Sequence, residues 1–165
     1  MVVRVQREDF DLALEVEALT RGRTDIGAIV TFTGRVRGND EGRTIATLTL
    51  EHYPGMTEAE LARIEAEAAE RWPLQASLVV HRIGELAPGE NIVLVVTASE
   101  HRQAALDAAS FLMDYLKTRA PFWKKEIDRA GKSNWVDARE GDGDAAKRWG
   151  ENETAPEPNG RKADA

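Results

Sequence analysis

The chain has 165 residues, 42% of them hydrophobic and 31% charged, a composition typical of one soluble globular domain. It carries 22 Lys and Arg against 29 Asp and Glu, a formal net charge of −7, which disfavours a general binder of nucleic acid or of anionic membranes. There is no cysteine, which excludes disulfides, thiolate metal sites and a cysteine nucleophile. Any sulfur chemistry must therefore use sulfur that another molecule brings.

The two ends of the chain bear on its expected location and on the expected bounds of its domain. The first residues, MVVR, lack the apolar segment of a signal peptide, and no apolar run approaches the ~20 residues of a membrane span. From about Gly150 onward there is no large apolar residue, which is typical of disorder. We therefore expect a cytoplasmic protein with one domain at 1–149 and a disordered tail at 150–165.

The first third of the chain predicts a helix followed by two strands. Apolar residues within 8–20 recur at loosely helical spacing, which predicts a short helix. The segment 27–37 is rich in β-branched residues, and 44–51 alternates between apolar and polar residues, so both predict strands. Because turn residues at 37–42 separate them, we expect an antiparallel hairpin.

A second helix is predicted from its start signal. Thr57 with Glu60 three residues later has the pattern of a capping box. Met56 and Leu61 stand at the positions of a hydrophobic staple around it. Pro73 is expected to end the helix, since the residue before proline avoids the helical region.

The remaining elements alternate between strand and helix. The segments 76–83 and 91–98 predict two strands joined by a turn. Ser99 is expected to cap a third helix that runs to about Arg119. An extended piece at 122–127 and a short strand at 135–136 follow. This mixture of helices, strands and hairpins favours an α+β fold over a doubly wound sheet.

Two basic pairs lie in the first two thirds of the chain. Arg35 and Arg37 stand two apart on a predicted strand, so their side chains leave the same face. Taken alone, this pair favours a solvated strand face over a binding site. His101 and Arg102 fall in the first turn of the third helix, where cations oppose the helix dipole. Together with free N–H groups, such a pair suits a phosphate or carboxylate, but it also suits exposure to water.

Two further basic pairs follow. Lys117 and Arg119 lie in the last turn of the third helix, where cations are favoured for structural reasons alone. Lys124 and Lys125 follow the aromatic run Phe122-Trp123. A lysine desolvated by aromatic rings becomes a better base or nucleophile, whereas a surface lysine would only lay its stem across a ring.

Other polar residues give weaker indications. His81 and Arg82 lie in the middle of a predicted strand, where a solvated or interface face is favoured over a ligand site. The three histidines lack metal-site spacing, and no HExxH, P-loop or GxGxxG pattern is present. We therefore expect neither a metal nor a bound cofactor.

Beyond these patterns, the sequence resembles the MoaE-type large, catalytic subunits of molybdopterin synthase. The matching segments run in order through most of 27–140. They are GAIVTFTGRVRG at 27–38, LTLEHYPGMTEAEL at 48–61, RWPL at 71–74, HRIGELAPGE at 81–90, SEHRQAALDAASFLMDYLKTRAPFWKKE at 99–126 and WVDARE at 135–140. The first two dozen residues match only loosely, and the tail beyond Trp149 carries none of these motifs.

The resemblance implies an α/β hammerhead fold with antiparallel strands and a small extra subdomain. It further implies a cytoplasmic sulfurtransferase of molybdenum cofactor biosynthesis that converts cyclic pyranopterin monophosphate (precursor Z) to molybdopterin. Two sulfurs would come from the C-terminal thiocarboxylate of a ubiquitin-like small subunit. A homodimer of the large subunit would form the centre of a heterotetramer.

The resemblance also assigns residues. Lys117 and Lys124 match the family's catalytic lysines. Arg139 resembles an arginine that reaches the neighbouring protomer's site. The full set of matched substrate-binding positions is Arg35, Val36, Arg37, His101, Arg102, Lys117, Lys124, Lys125, Glu126 and Arg139.

Without the resemblance, the residues are compatible with three other functions. A lyase or aldolase could use Lys117 or Lys124 as a Schiff base. A docking module for a ubiquitin-like protein would bind without catalysis. A nucleotide or RNA binder is disfavoured by the net charge of −7.

Overall fold

The fold is α+β, as predicted, with two mostly antiparallel sheets. A computed structural model describes residues 1–40, 42–136 and 140–150. The elements are β1 (Val2–Gln6), α1 (Leu12–Thr20), β2 (Ala28–Arg35), β3 (Asn39–Asp40), β4 (Arg43–His52), α2 (Met56–Arg71), β5 (Leu74–Arg82), β6 (Gly84–Leu86), β7 (Asn91–Ser99), α3 (Arg102–Thr118), β8 (Phe122–Asp128), β9 (Ser133–Val136) and α4 (Glu140–Lys147). None of the described helices is long and apolar enough to cross a membrane.

The first sheet has the strand order β1-β5-β7-β2 and is covered on both faces. β1 runs parallel to β5, and the other neighbours are antiparallel. On one face Val79 and Val95 pack against α2 and α3, and on the other Val80 and Val96 pack towards Phe10 and α1. Burial of both faces explains why β5 and β7 read as continuous apolar runs.

The second sheet has the order β3-β4-β8-β9, with β6 paired to β4 on its other side. Leu48 and Leu50 of β4 form a small separate core with Val36 and Leu86. This sheet matches the predicted extra subdomain. Its β8 begins four residues after α3 ends, so the end of α3 and the start of β8 lie side by side.

The hairpin predicted from 27–37 and 44–51 is wrong, although both strands exist. β2 pairs with β7 in the first sheet, from Ala28 opposite Ser99 onward. β4 pairs with β8 in the second sheet, to which β3 also belongs, so residues 36–38 carry the chain from one sheet to the other. Each strand therefore pairs with a strand that lies far away in the sequence: β2 with nine-residue β7 and β4 with seven-residue β8.

Both predicted helix caps are also wrong. α2 begins at Met56 after Gly55, whose positive φ of 84° suits glycine, and the Glu58 carboxylate accepts a hydrogen bond from the Gly55 N–H at 2.7 Å. Thr57 lies inside the helix, where its hydroxyl accepts from the Tyr53 N–H. Ser99 ends β7 and donates to the Pro73 carbonyl at 2.9 Å, so His101 takes the cap position of α3.

Strands β1, β3 and β6 and helix α4 were not predicted. α4 is followed by Trp149, whose ring lies 5.5 Å from that of Trp72 and 5.7 Å from that of Phe111. This contact ties the end of the described chain to α2 and α3. The predicted disordered tail lies, apart from Gly150, outside the described residues.

Candidate active site

A cleft of about 510 Å³ opens where the two sheets meet. Its walls come from the end of β2, the loop after it, β4, the last turn of α3, β8 and β9. The lining residues are Phe32, Thr33, Gly34, Arg35, Val36, Arg37, Asp40, Ile45, Leu48, Ile92, Lys117, Phe122, Lys124, Glu126 and Val136. The cleft therefore gathers six of the ten predicted site residues: Arg35, Val36, Arg37, Lys117, Lys124 and Glu126.

The two predicted arginines enter from the end of β2. The pairing of β2 with β7 shifts register between Gly34 and Arg35, and such a bulge re-aims the side chains that follow it. The Arg35 guanidinium donates to the carbonyl of Gly89, which holds it against the neighbouring turn. Arg37 lies beyond the strand and forms an ion pair with Asp40 at 2.6 Å.

The two predicted lysines reach the cleft from different elements. Lys117 lies in the last turn of α3, and Lys124 lies in β8, on the same face as Phe122 and Glu126. Residues two apart in a strand share a face, so Lys125 points to the opposite side. There its ammonium lies 5.8 Å from the ring centre of the exposed Trp135.

A second, smaller cavity of about 160 Å³ adjoins the cleft. We call it the recess. It shares seven lining residues with the cleft: Phe32, Gly34, Arg35, Ile92, Lys117, Phe122 and Lys124. Its own residues are His81, Val93, Met113, Leu116 and Ala120. Both lysines therefore stand at the junction between a polar cleft and a mainly apolar recess.

The cleft is cationic, although the whole chain is acidic. Arg35, Arg37, Lys117 and Lys124 contribute four positive groups to its lining, against the carboxylates of Asp40 and Glu126. Asp40 is paired with Arg37, and Glu126, which is 9% exposed, lies 3.4 Å from Arg43. Since both carboxylates have cationic partners, the cleft suits an anionic ligand.

The remaining predicted residues lie elsewhere. His101 and Arg102 line a shallow cavity with Gly27, Glu100 and Gln103 at the opposite end of α3. Fifteen residues of helix separate Arg102 from Lys117, which places their backbones about 22 Å apart. Lys125 faces away from the cleft, and Arg139 lies outside the described residues.

Two titratable lining residues were not predicted as part of the site. Asp40 carries a buried carboxylate, but its loop gave only turn signals. His81 was expected on a solvated or interface face; instead His81 and Arg82 are buried, at 6% and 7% exposure. The apolar run of 78–80 is typical of a strand covered on both faces, and extending that pattern to 81 would have predicted this burial.

Comparison with known proteins places the chain in a family. The family described as MoaE protein matches residues 5–119. The molybdopterin synthase catalytic subunit of Mesorhizobium japonicum is 63% identical over 148 residues, which are 89% of this chain and 92% of that protein. That of Pseudomonas aeruginosa is 55% identical over 151 residues, 92% of this chain and 100% of that protein.

A solved structure agrees with this result. The molybdopterin biosynthesis MoaE protein of Burkholderia ambifaria superposes with a TM-score of 0.77 at 49% identity, covering 90% of this chain and 97% of that one. This chain belongs to the MoaE protein family.

Proposed function

We propose that this chain is the catalytic subunit of molybdopterin synthase, an enzyme of molybdenum cofactor biosynthesis. Its relatives of 54–63% identity carry that name. In the finer form of the proposal, it converts cyclic pyranopterin monophosphate to molybdopterin in the cytoplasm. The two sulfurs come from the C-terminal thiocarboxylate of a ubiquitin-like small subunit, and the chain acts as a sulfurtransferase.

The observation that carries the proposal is the position of Lys117 and Lys124 at the junction of the cleft and the recess. The substrate is an anionic phosphate on a flat polar ring system, which suits the four cations of the cleft. The recess is narrow and largely apolar, which suits an extended peptide end without side chains. A glycine-rich tail threaded through the recess would bring its terminal sulfur to the two lysines.

Sulfur transfer needs a positive charge and a source of protons close to the reacting carbon. Attack of a thiocarboxylate sulfur on carbon requires proton transfers and the loss of an oxygen as phosphate or water. It leaves a thioester between carrier and substrate, and water must then cleave the acyl–sulfur bond, which leaves the sulfur on the substrate and releases the carrier as its carboxylate. A lysine placed there can donate these protons and offset developing negative charge. We assign Lys117 to the junction of carrier tail and substrate, and Lys124 to the companion acid–base or electrostatic role. Arg35 and Arg37 bind the substrate. Glu126 lines the same cleft, where it is paired with Arg43.

His101 and Arg102 require a second protomer in this proposal. They lie about 22 Å along α3 from Lys117, too far to act in the same cleft. A homodimer at the centre of a heterotetramer would let them, with Arg139, contact the neighbouring protomer's substrate. Lys125 has no part in the cleft of its own chain, and we leave it out of the site.

A reconstituted assay tests the function. The purified chain is mixed with thiocarboxylated small subunit and cyclic pyranopterin monophosphate, and molybdopterin is detected as its fluorescent oxidation product. Product that requires all three components supports the proposal. Binding of the small subunit without product would favour the docking module instead, and borohydride trapping of a carbonyl substrate on a lysine would favour the lyase.

A mixed-dimer experiment tests the shared site. Neither Lys117→Ala nor Arg102→Ala is expected to turn over alone. When the two variants are unfolded and refolded together, or co-expressed, heterodimers with one intact site form and activity returns. If mixing restores nothing while heterodimers are present, the two residues act in the same protomer or Arg102 is not required.

A further inference from the structure

Glu126 places a buried carboxylate in a cleft whose charge is mainly positive. It is 9% exposed and lies in β8, two residues after Lys124 on the same face. Burial of a carboxylate costs free energy unless cations or hydrogen bonds compensate it. Because a negative charge opposes the binding of an anion, attraction of the substrate's phosphate does not explain this residue, and another interaction with the ligand must.

Arg43 of β4 holds this carboxylate in place. Its guanidinium lies 3.4 Å from Oε2 of Glu126. In the amide orientation that satisfies both polar atoms of its side chain, Asn134 of β9 accepts from the same guanidinium at 2.5 Å and donates to the Ser133 carbonyl at 3.2 Å. Arg43 is therefore bound by residues of two other strands, β8 and β9, and it fixes the Oε2 side of the carboxylate.

The other oxygen of Glu126 is available to a ligand. Within the part of the chain that the structure describes, no hydrogen bond reaches Oε1, and an ionised carboxylate only accepts hydrogen bonds. Leu48, which is paired with Glu126, and Val136, which is paired with Lys124, also line the cleft. This part of the cleft therefore suits a ligand that combines N–H donors with a flat apolar surface.

Glu126 lies on the side of the cleft away from the recess. Phe122 and Lys124 line both cavities, whereas Glu126 lines only the cleft. Two residues of a strand span about 7 Å, which is close to the length of three fused six-membered rings. A ring system of that size whose reacting carbon lies beside Lys124 would bring its far edge to Glu126.

The far edge of a pyranopterin has the complementary chemistry. Its 2-amino group and its ring N3–H are two neighbouring donors in the plane of the ring, and a carboxylate can accept from such a pair with both oxygens. We propose that Glu126 binds this donor edge of the substrate and that Arg43 is the positioning residue for Glu126. The identity of the substrate rests on the proposed function.

Binding of two small probes tests the proposal without turnover. The probes are 6-hydroxymethylpterin and 6-hydroxymethyllumazine, which has a carbonyl oxygen in place of the 2-amino group. By isothermal titration calorimetry, the full-length chain should bind the pterin about tenfold or more tightly than the lumazine, because a carboxylate repels the carbonyl oxygen. Glu126→Gln should lose this preference, since an amide carries both a donor and an acceptor and matches the lumazine edge.

The role of Arg43 is tested by Arg43→Gln. This substitution should reduce the preference for the pterin, and in the double variant it should add nothing to Glu126→Gln. Arg21→Gln is the control, because Arg21 forms an exposed ion pair with Glu17 at 2.8 Å, and it should keep the preference of the wild type. A preference that is unchanged in Arg43→Gln would contradict the positioning role.

Kinetics test the same contact on the proposed substrate. In the reconstituted assay, Glu126→Gln should raise KM for cyclic pyranopterin monophosphate about tenfold or more with little change in kcat, which is the effect of losing a binding contact away from the reacting carbon. A loss confined to kcat would contradict the proposal.

The outcomes separate this proposal from the proposed function. A wild type that binds both probes equally, or binds neither, would overturn the role of Glu126, as would a preference that survives in Glu126→Gln. If Glu126→Gln does not fold, Glu126→Asp decides in its place, because it keeps the charge but withdraws the carboxylate and should also lose the preference. A wild type that makes no product but prefers the pterin through Glu126 would refute the proposed function alone.

Discussion

The indole N–H of Trp149 donates to the carboxylate of Asp114 at 2.7 Å, and Asp114 lies one helical turn before Lys117 in α3. The same carboxylate accepts from the Arg148 guanidinium at 2.7 Å, and Arg71 donates to the Trp149 carbonyl at 2.8 Å. The segment after α4 is therefore fastened to the end of α3 that carries a proposed catalytic lysine. The fastened segment itself lies beyond residues 5–119, which match the family, although its partners Asp114 and Arg71 lie within them.

Trp149→Ala is expected to destabilise the protein. The substitution removes the edge-to-face ring contacts with Trp72 and Phe111 and the hydrogen bond to Asp114. Because Trp149 is only partly buried, we expect the free energy of unfolding to fall by about 2 to 3 kcal/mol, measured by urea denaturation. Trp135→Ala is the control, since Trp135 is 58% exposed, and should cost under about 1 kcal/mol. Equal costs would show that the contacts of Trp149 do not hold the fold.

Lys124→Ala and Lys125→Ala are a matched pair of neighbours on opposite faces of β8. Lys124 lines the cleft, whereas Lys125 lies beside Trp135. Loss of a positioned acid–base group lowers a rate by about 10²- to 10⁴-fold, so Lys124→Ala should lower kcat by that factor in the reconstituted assay. Lys125→Ala should leave kcat and KM close to those of the wild type. A large loss in Lys125→Ala would restore the role predicted for it from the sequence.

Arg37→Ala is expected to weaken substrate binding through the loss of a charge-assisted hydrogen bond. KM for cyclic pyranopterin monophosphate should rise about tenfold or more, and the dependence of KM on salt should become weaker. Asp40→Asn removes the carboxylate that holds Arg37 and should raise KM by a smaller factor. In the double variant, Asp40→Asn should add nothing to Arg37→Ala. Additive effects would mean that Asp40 acts on something other than Arg37.

Glu65 predicts a pH dependence of stability. Its carboxylate accepts from the Ser77 hydroxyl at 2.7 Å and from the Val2 N–H at 3.1 Å, which ties β1 to α2. Burial is the main cause that raises its pKa above the ordinary value of 4.5. The folded protein therefore binds this proton more tightly than the unfolded chain does. The resulting stabilisation is present below pH 4.5 and is lost as pH rises through the raised value.

Glu65→Gln tests this dependence, because glutamine keeps an acceptor oxygen but does not titrate. The stability of the wild type relative to Glu65→Gln should fall as the pH rises from 4 to 7, as measured by urea denaturation at each pH. A difference that stays constant, or that grows with pH, would show that burial of Glu65 does not raise its pKa.

Much of the local structure could be predicted from the residues themselves. The alternation of 44–51 and the β-branched run of 27–37 correspond to β4 and β2, and Pro73 does follow the end of α2. These predictions depend on neighbouring residues in one element, where periodicity is directly visible. β1 escaped prediction because it is an edge strand of only five residues, too short for the alternation of Val3, Arg4, Val5 and Gln6 to mark it. The two cap predictions were wrong because the hydroxyl groups of Thr57 and Ser99 form hydrogen bonds with the backbone of Tyr53 and Pro73 instead. A capping pattern in the sequence does not reveal such bonds.

The sequence by itself determined the α+β class, the family through its motifs, and the two lysines as candidates. It could not determine which strands pair, since β2 and β4 are adjacent in the chain but belong to different sheets. Only the tertiary structure brought Lys117 and Lys124 to one junction, put Lys125 on the other side, and buried His81 beside them. The reason is physical. The periodicity of a helix or strand is set by residues that are near neighbours in the chain, whereas strand pairing and burial depend on residues that are far apart in it.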